Sequence, residues 1–187
     1  MRIKPPLTFA AMSRRAAITG AAMAAMATLA ACSGSQVSGP AEGDMAKGAA
    51  EGAKVTVVEY ASVTCGACAA WQTQVWPEFS AKYVDTGQVR FVFREFPTGP
   101  VDVAAAGFLT ARCAGADKYF DVIDEIMASQ PELLGGATPP RTTLLRIANA
   151  AGLSEQQFTE CVTDTDAIAA LEERVQAGLD AGVTGTP

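Results

Sequence analysis

Hydrophobic and polar positions along the chain predict a strand, a helix, a second strand and then a block of helices. The β-branched and aromatic runs at 54–60 and 89–94 predict two buried strands. Between them, apolar residues recur at helical spacing over 65–83, and Pro77 is expected to kink that helix. Strand, helix and strand in this order predict a parallel pair joined by a right-handed crossover.

The second half of the chain is predicted to be helical. Helical patterns cover 101–114, 117–129, 142–151, a segment from 154 onwards, and 166–180. A glycine-rich stretch at 182–187 follows them. Because two strands alone do not form a stable sheet, we expect an α/β fold whose sheet is incomplete at the C-terminus.

The N-terminal segment 1–31 has the pattern of an export signal. Four basic residues precede an apolar run of alanine and methionine that is too short to favour a membrane span. Leu-Ala-Ala before Cys32 resembles a bacterial lipobox, which implies cleavage there and lipid attachment to Cys32. An ordinary signal peptide, or a twin-arginine signal around Arg14 and Arg15, is the alternative. The small and charged residues of 32–52 predict a flexible tether.

Composition narrows the possible chemistry. The chain has no histidine, which excludes Ser-His and Cys-His nucleophile pairs and histidine-ligated metals. From Cys32 onwards 10 basic residues stand against 20 acidic ones, a net charge of −10. This acidic balance argues against nucleic acid as a partner.

A Cys-Gly-Ala-Cys motif at 65–68 is the strongest chemical signal, because it follows a strand and opens a helix. We expect Cys65 in the first helical turn with Thr64 as the cap. The free amides and the dipole of the helix would then stabilise a thiolate there. Cys68, one turn further on, is expected to be the buried thiol that resolves a mixed disulfide. A static disulfide within the motif is the alternative.

Cys113 and Cys161 are the remaining cysteines of the predicted domain. They could complete a four-cysteine zinc site with the motif, although they lack the close spacing of a zinc ribbon. In an oxidising compartment they could instead form a structural disulfide, and two separate buried thiols are the third possibility.

The order of these features resembles the DsbA-like thiol:disulfide oxidoreductases of the thioredoxin superfamily. The strand at 57–60, the motif with Trp71, the strand and exit at 91–97 and the approach to a cis-proline at 183–187 all match in sequence order. The resemblance implies a thioredoxin-like fold with an inserted helical domain. We therefore assign 1–31 to the signal peptide, 32–52 to the tether, 53–98 and 181–187 to an incomplete thioredoxin-like domain, and 99–180 to the helical insertion. Because the family continues after the cis-proline, we expect this chain to be a fragment of a longer gene product, and a defective copy is the alternative.

The resemblance also implies roles for individual residues. Cys65 matches the nucleophile and Cys68 the resolving thiol. Glu59 matches the buried acid that takes and returns the resolving thiol's proton, although a lone glutamate on an apolar strand more often faces water. Pro187 matches the cis-proline, and Thr186 before it would offer its backbone to a substrate strand.

Two further implications concern the other members of the family. Strongly oxidising members carry histidine where this chain has Ala67, so we expect a higher Cys65 pKa and a potential more reducing than the ~−120 mV of DsbA. Some members carry a second disulfide in the helical domain, which supports pairing of Cys113 with Cys161.

The sequence thus predicts an exported, lipid-anchored protein-disulfide oxidoreductase of the periplasm or cell envelope, which needs no cofactor and no metal. Its partners would be unfolded or partly folded exported proteins and a membrane redox partner that recycles the cysteine pair. Whether it acts as oxidase, reductase or isomerase stays open. The alternative is a thioredoxin-fold lipoprotein that binds copper(I) or is redox-inert.

Overall fold

The computed structural model describes residues 39–187, and the predicted signal peptide, Cys32 and the first part of the tether lie outside them. The strands are β1 (Met45–Gly48), β2 (Thr56–Ala61) and β3 (Arg90–Glu95). The helices are α1 (Gly66–Gln74), α2 (Trp76–Phe79), α3 (Val101–Cys113), α4 (Tyr119–Ala128), α5 (Gln130–Leu134), α6 (Pro140–Ala150), α7 (Glu155–Thr163) and α8 (Thr165–Asp180), and a π-helical segment (Ser80–Val84) follows α2. Within 39–187, no helix combines the length and the apolar character needed to cross a membrane.

The three strands form one mixed sheet in the order β1-β3-β2. The predicted parallel pair is present, with Val57 opposite Phe91 and Glu59 opposite Phe93. On the other side of β3, the antiparallel β1 places Lys47 opposite Phe91. Since paired residues project to the same face, Glu59 and Lys47 lie on one face of the sheet.

The prediction of a flexible tether over 32–52 is wrong for its later part, because Met45–Gly48 form β1. This strand pairs with an edge of β3 that would otherwise present unpaired N–H and C=O groups. Arg94 holds the approach to β1, donating hydrogen bonds to Asp44 Oδ1 at 2.8 Å and to the carbonyl of Gly39 at 2.5 Å. Composition missed the strand because its stability comes from β3 rather than from its own side chains.

The face of the sheet that carries Phe91 packs against α1, α2 and α4. The Phe91 ring lies 6.0 Å from Trp71 in α1, 4.5 Å from Trp76 in α2 and 6.5 Å from Phe120 in α4. Aromatic contacts of this kind bury a large apolar area and fix the position of α1 over the sheet.

The predicted helix over 65–83 is divided at Val75, which ends α1 and precedes α2. Pro77 lies in the first turn of α2, where its missing N–H removes no helical hydrogen bond. The expected apolar stripe is interrupted as well, because Val75 is 45% exposed.

A buried carboxylate connects the sheet to the helical layer. Glu95 at the end of β3 has a side chain that is 0% exposed, and it accepts hydrogen bonds from Arg112 Nε at 2.6 Å and Arg174 Nη2 at 2.7 Å. The Tyr119 hydroxyl donates a further hydrogen bond to Glu95 at 3.0 Å. Three helices, α3, α8 and α4, are thereby tied to one strand.

Cys113 and Cys161 are joined in a disulfide bond, with Cα atoms 6.3 Å apart. The bond links the end of α3 to α7 across a sequence separation of 48 residues. Because both sulfur atoms are used in this bond, the four-cysteine zinc site considered from the sequence does not form.

Candidate active site

Cys65 caps α1 with its own side chain. Its Sγ accepts a hydrogen bond from the backbone amide of Cys68 at 3.3 Å. The expectation that Thr64 would be the cap is wrong, because the Thr64 hydroxyl is used elsewhere: it donates to the carbonyl of Thr98 at 3.0 Å. The nucleophile candidate therefore contacts the helix start directly, where free amides favour a negative charge.

The environment of Cys65 lowers its pKa. Burial is the largest single influence and acts in the opposite direction, against the thiolate. It is outweighed by hydrogen bonding with the side chains of Cys68 and Thr186 and with the backbone of Cys68 and Ala67. Cys65 is partly exposed and is a free thiol, so its sulfur combines access to solvent with thiolate character.

Cys68 is the opposite case, a free thiol that is 0% exposed. Burial, followed by its interaction with Cys65, raises the pKa of Cys68 to about 12. A thiol with this pKa keeps its proton at neutral pH and reacts only when a base removes it. The pKa values of the two cysteines of the motif are thus shifted in opposite directions.

Glu59 lies in the middle of β2 and is 8% exposed. Burial, with a contribution from the charge of Asp124, raises the pKa of Glu59 to about 7. Within residues 39–187, its Oε2 is a buried side-chain oxygen with no hydrogen-bond partner. Glu59 lies on the same face of the sheet as Phe91. Helix α1 packs against that face through Trp71, and Cys68 precedes Trp71 by one turn on the same side of α1. A titratable acid is therefore enclosed in the layer that contains the resolving thiol.

The segment at 183–187 returns to the cysteine motif. The thiol of Cys65 donates a hydrogen bond to the carbonyl of Thr186 at 3.9 Å. The following peptide bond, Thr186–Pro187, is cis. Cys65, Cys68, Glu59, Thr186 and Pro187, which the resemblance selected, therefore belong to one region of the structure.

Gln130 is a residue of this region that the sequence interpretation missed. Its Nε2 donates hydrogen bonds to the carbonyls of Val63 at 2.9 Å and Cys65 at 3.0 Å. This side chain comes from α5 in the helical insertion and fixes the backbone just before the motif. A glutamine beside a proline carries no local signal for such a role, because its partners are about 65 residues away in sequence.

The site can perform thiol chemistry with its own side chains. Within residues 39–187, no group of three or more cysteine, aspartate or glutamate side chains is arranged to hold a metal ion. The chemical resources are one accessible sulfur of lowered pKa, one buried sulfur of raised pKa and a buried acid that titrates near neutrality.

Comparisons with known proteins agree with this geometry. A family model described as thioredoxin matches residues 41–187. A Rickettsia bellii protein whose name describes a protein-disulfide oxidoreductase is 32% identical over 123 residues, which cover 66% of this chain and 46% of the relative. This chain therefore spans less than half the length of that relative.

Two solved structures have the same fold. Wolbachia pipientis alpha-DsbA1 superposes with a TM-score of 0.72 at 25% identity, covering 82% of this chain and 77% of that one. Oxidised BdbD from Bacillus subtilis superposes with a TM-score of 0.67 at 22% identity, covering 80% of this chain and 83% of that one, and shows the fold alone. The chain therefore belongs to the thioredoxin family, with the fold of its DsbA-like members that carry an inserted helical domain.

Proposed function

We propose that this protein is a protein-disulfide oxidoreductase that acts through Cys65 and Cys68. The observation that carries the proposal is the contrast within the motif: Cys65 caps a helix and has a lowered pKa, whereas Cys68 is buried with a pKa of about 12. Disulfide exchange needs this asymmetry, because one sulfur must attack as a thiolate and the other must wait as a thiol.

The exchange proceeds in two displacements. The Cys65 thiolate attacks one sulfur of a substrate disulfide, the substrate S–S bond breaks, and a substrate thiolate leaves from the mixed disulfide. Cys68 then loses its proton and attacks Cys65 Sγ, which forms the Cys65–Cys68 disulfide and releases the second substrate thiolate. Two electrons pass from the cysteine pair to the substrate, and in the reverse direction the pair oxidises a substrate dithiol.

Glu59 is proposed as the proton acceptor for Cys68. The support is its position in the layer that contains Cys68, its pKa of about 7 and the unpartnered buried oxygen. A base with a pKa near the working pH combines a substantial ionised fraction with useful proton affinity.

Thr186 and Pro187 are proposed to bind the substrate. The Thr186 carbonyl lies 3.9 Å from Cys65 Sγ, so a polypeptide whose cysteine reacts there would pass the backbone of this segment. An extended segment of an unfolded or partly folded protein, pairing through backbone hydrogen bonds, fits this surface.

The proposed location is the cell envelope, with a lipid on Cys32 as the anchor and a membrane redox partner recycling the cysteine pair. The signal-like sequence at 1–31 supports export. The Cys113–Cys161 disulfide supports an oxidising compartment, since such bonds are rare in the reducing cytoplasm.

The test is catalysis by the full-length protein, measured as insulin reduction and as oxidative refolding of a reduced protein. Cys65→Ser is expected to abolish both activities. Cys68→Ser is expected to accumulate a mixed disulfide with the substrate, which non-reducing electrophoresis detects. Catalysis that persists in Cys65→Ser, or stoichiometric copper(I) binding by an intact protein that does not exchange disulfides, would refute the proposal.

A further inference from the structure

A group of polar side chains lies between the sheet and the helical insertion, next to Glu59. Gln72 of α1 donates a hydrogen bond from Nε2 to Asp124 Oδ1 of α4 at 2.6 Å. Gln72 is one turn beyond Cys68 on α1, so this bond lies close behind the resolving thiol. It holds a carboxylate from the helical insertion against the helix that carries the motif.

Lys47 is the positive charge of the same group. Its Nζ lies 4.7 Å from the centre of the Phe120 ring, and Phe120 precedes Asp124 by one turn of α4. Lys47 also shares the sheet face of Glu59 through the pairing of β1 and β2 with β3. Burial and Asp121 raise the pKa of Asp124, whereas Lys47 acts in the opposite direction and favours its charged form.

Glu59 thus shares its side of the sheet with Lys47 of β1 and with α1, the helix that carries Cys68, and Asp124 of α4 acts on Glu59 through its charge. After burial, the charge of Asp124 is the influence that holds the proton on Glu59. A nearby negative charge makes a carboxylate a stronger base, because it disfavours a second negative charge beside it.

We propose that Asp124 is a positioning residue of the exchange reaction: held by Gln72 and kept charged by Lys47, it strengthens Glu59 as the base that deprotonates Cys68. This inference rests on the proposed function and adds a contribution from outside the thioredoxin-like domain. The inserted helices thereby set the pH at which the mixed disulfide is resolved.

The experiment measures resolution of the mixed disulfide as a function of pH. Reduced full-length protein is mixed with oxidised glutathione, acid-quenched at short times, and the Cys65–glutathione adduct is quantified by mass spectrometry. In the wild-type protein the resolution rate is expected to rise through a midpoint near pH 7, the pKa of Glu59. Asp124→Asn is expected to move this midpoint about half to one pH unit lower and to reduce the plateau about two- to threefold.

Matched variants separate this role from a structural one. Asp124→Glu keeps the charge and is expected to restore the wild-type profile, and Glu172→Gln, which removes an exposed carboxylate on α8, is expected to leave the profile unchanged. In a Glu59→Gln background the midpoint is expected to disappear, and adding Asp124→Asn is expected to change nothing further. Asp124→Ser serves as a second neutral variant if the asparagine variant does not fold.

An unshifted midpoint in both neutral variants would overturn the inference, as would an equal effect of Asp124→Asn with and without Glu59. These results differ from failure of the proposed function, in which Cys65→Ser would remain active. They also differ from failure of the proton-acceptor role, in which Glu59→Gln would keep the wild-type profile.

Discussion

The backbone amide of Cys68 donates a hydrogen bond to Sγ of Cys65 across 3.3 Å, which links two cysteines whose pKa values are shifted in opposite directions. Cys65 is partly exposed with a lowered pKa, whereas Cys68 is fully buried with a pKa of about 12. This difference in pKa arises within one turn of helix, because Cys65 contacts free backbone amides at the helix start whereas Cys68 points into the core.

The first prediction is selective alkylation of the reduced protein. At pH 7, iodoacetamide is expected to label Cys65 and to leave Cys68 unmodified, because only Cys65 has both access and thiolate character. Mass-spectrometric mapping of the labelled peptides gives the measurement. The unfolded protein, in which both thiols should react, is the control, and equal labelling in the folded protein would contradict the site geometry.

The second prediction concerns stability and pH. The pKa of Glu59 rises from 4.5 to about 7 on folding, so the folded state binds its proton more tightly. Below pH 4.5 the folded and the unfolded state both carry this proton. As pH rises from 4.5 through 7, the unfolded state ionises first, and the free energy of unfolding falls by about 3 kcal/mol. Glu59→Gln removes the ionisation, so the stability of this variant relative to wild type is expected to increase by the same amount, about 3 kcal/mol, over this range.

Urea unfolding of the reduced protein at a series of pH values gives this measurement. Glu172→Gln, an exposed position on α8, is the control and is expected to follow the wild-type curve. Parallel curves for wild type and Glu59→Gln between pH 4.5 and pH 8 would show that Glu59 does not titrate as described.

The third prediction concerns Ala67, an exposed residue in the first turn of α1. Ala67→His is expected to lower the Cys65 pKa further, because a protonated imidazole there favours the thiolate. Because this stabilises the reduced form, the reduction potential of the Cys65–Cys68 pair becomes less negative. The change is about 30 mV for each tenfold change in the exchange equilibrium. Equilibration with glutathione measures the reduction potential of the wild-type protein and of Ala67→His. Ala67→Gln is the uncharged control. A wild-type potential as high as ~−120 mV would contradict the expected effect of the missing histidine.

The fourth prediction concerns the buried carboxylate of Glu95. Glu95→Gln is expected to destabilise the fold by about 3–5 kcal/mol, because the side chain is 0% exposed and its loss of charge leaves Arg112 and Arg174 without a counterion. Glu125→Gln is the matched control, since its ion pair with Arg146 is half exposed and should change stability by less than about 1 kcal/mol. Denaturant unfolding compares the two variants. Equally small losses of stability in both would contradict the stabilising role of the Glu95 carboxylate.

The fifth prediction concerns the disulfide of the helical insertion. Replacing Cys113 and Cys161 together by alanine opens a loop of 48 residues and is expected to lower the free energy of unfolding by about 2–4 kcal/mol. Alkylation of Cys65 at pH 7 should be unchanged, because the bond lies between α3 and α7. A large change in Cys65 reactivity would show instead that the disulfide helps to shape the active site.

The order of elements and the position of the motif were predictable from the sequence, because both depend on neighbouring residues. Helical spacing predicted 101–114 and 166–180, and the structure has α3 at Val101–Cys113 and α8 at Thr165–Asp180. The strand, the cysteine motif and the helix all lie between Thr56 and Gln74, and their hydrophobic pattern and capping requirements are local.

Only the tertiary structure decided how those elements use their side chains. Cys65 rather than Thr64 caps α1 because the Thr64 hydroxyl bonds to Thr98, 34 residues away in sequence. Glu59 is buried because packed helices cover its strand, whereas the sequence of the strand alone favours exposure to water. Strand β1 exists because β3 offers it an edge, and Asp124 reaches Gln72 from a helix 52 residues further along the chain. Pairings of this kind depend on distance in space, which a local pattern of residues does not encode.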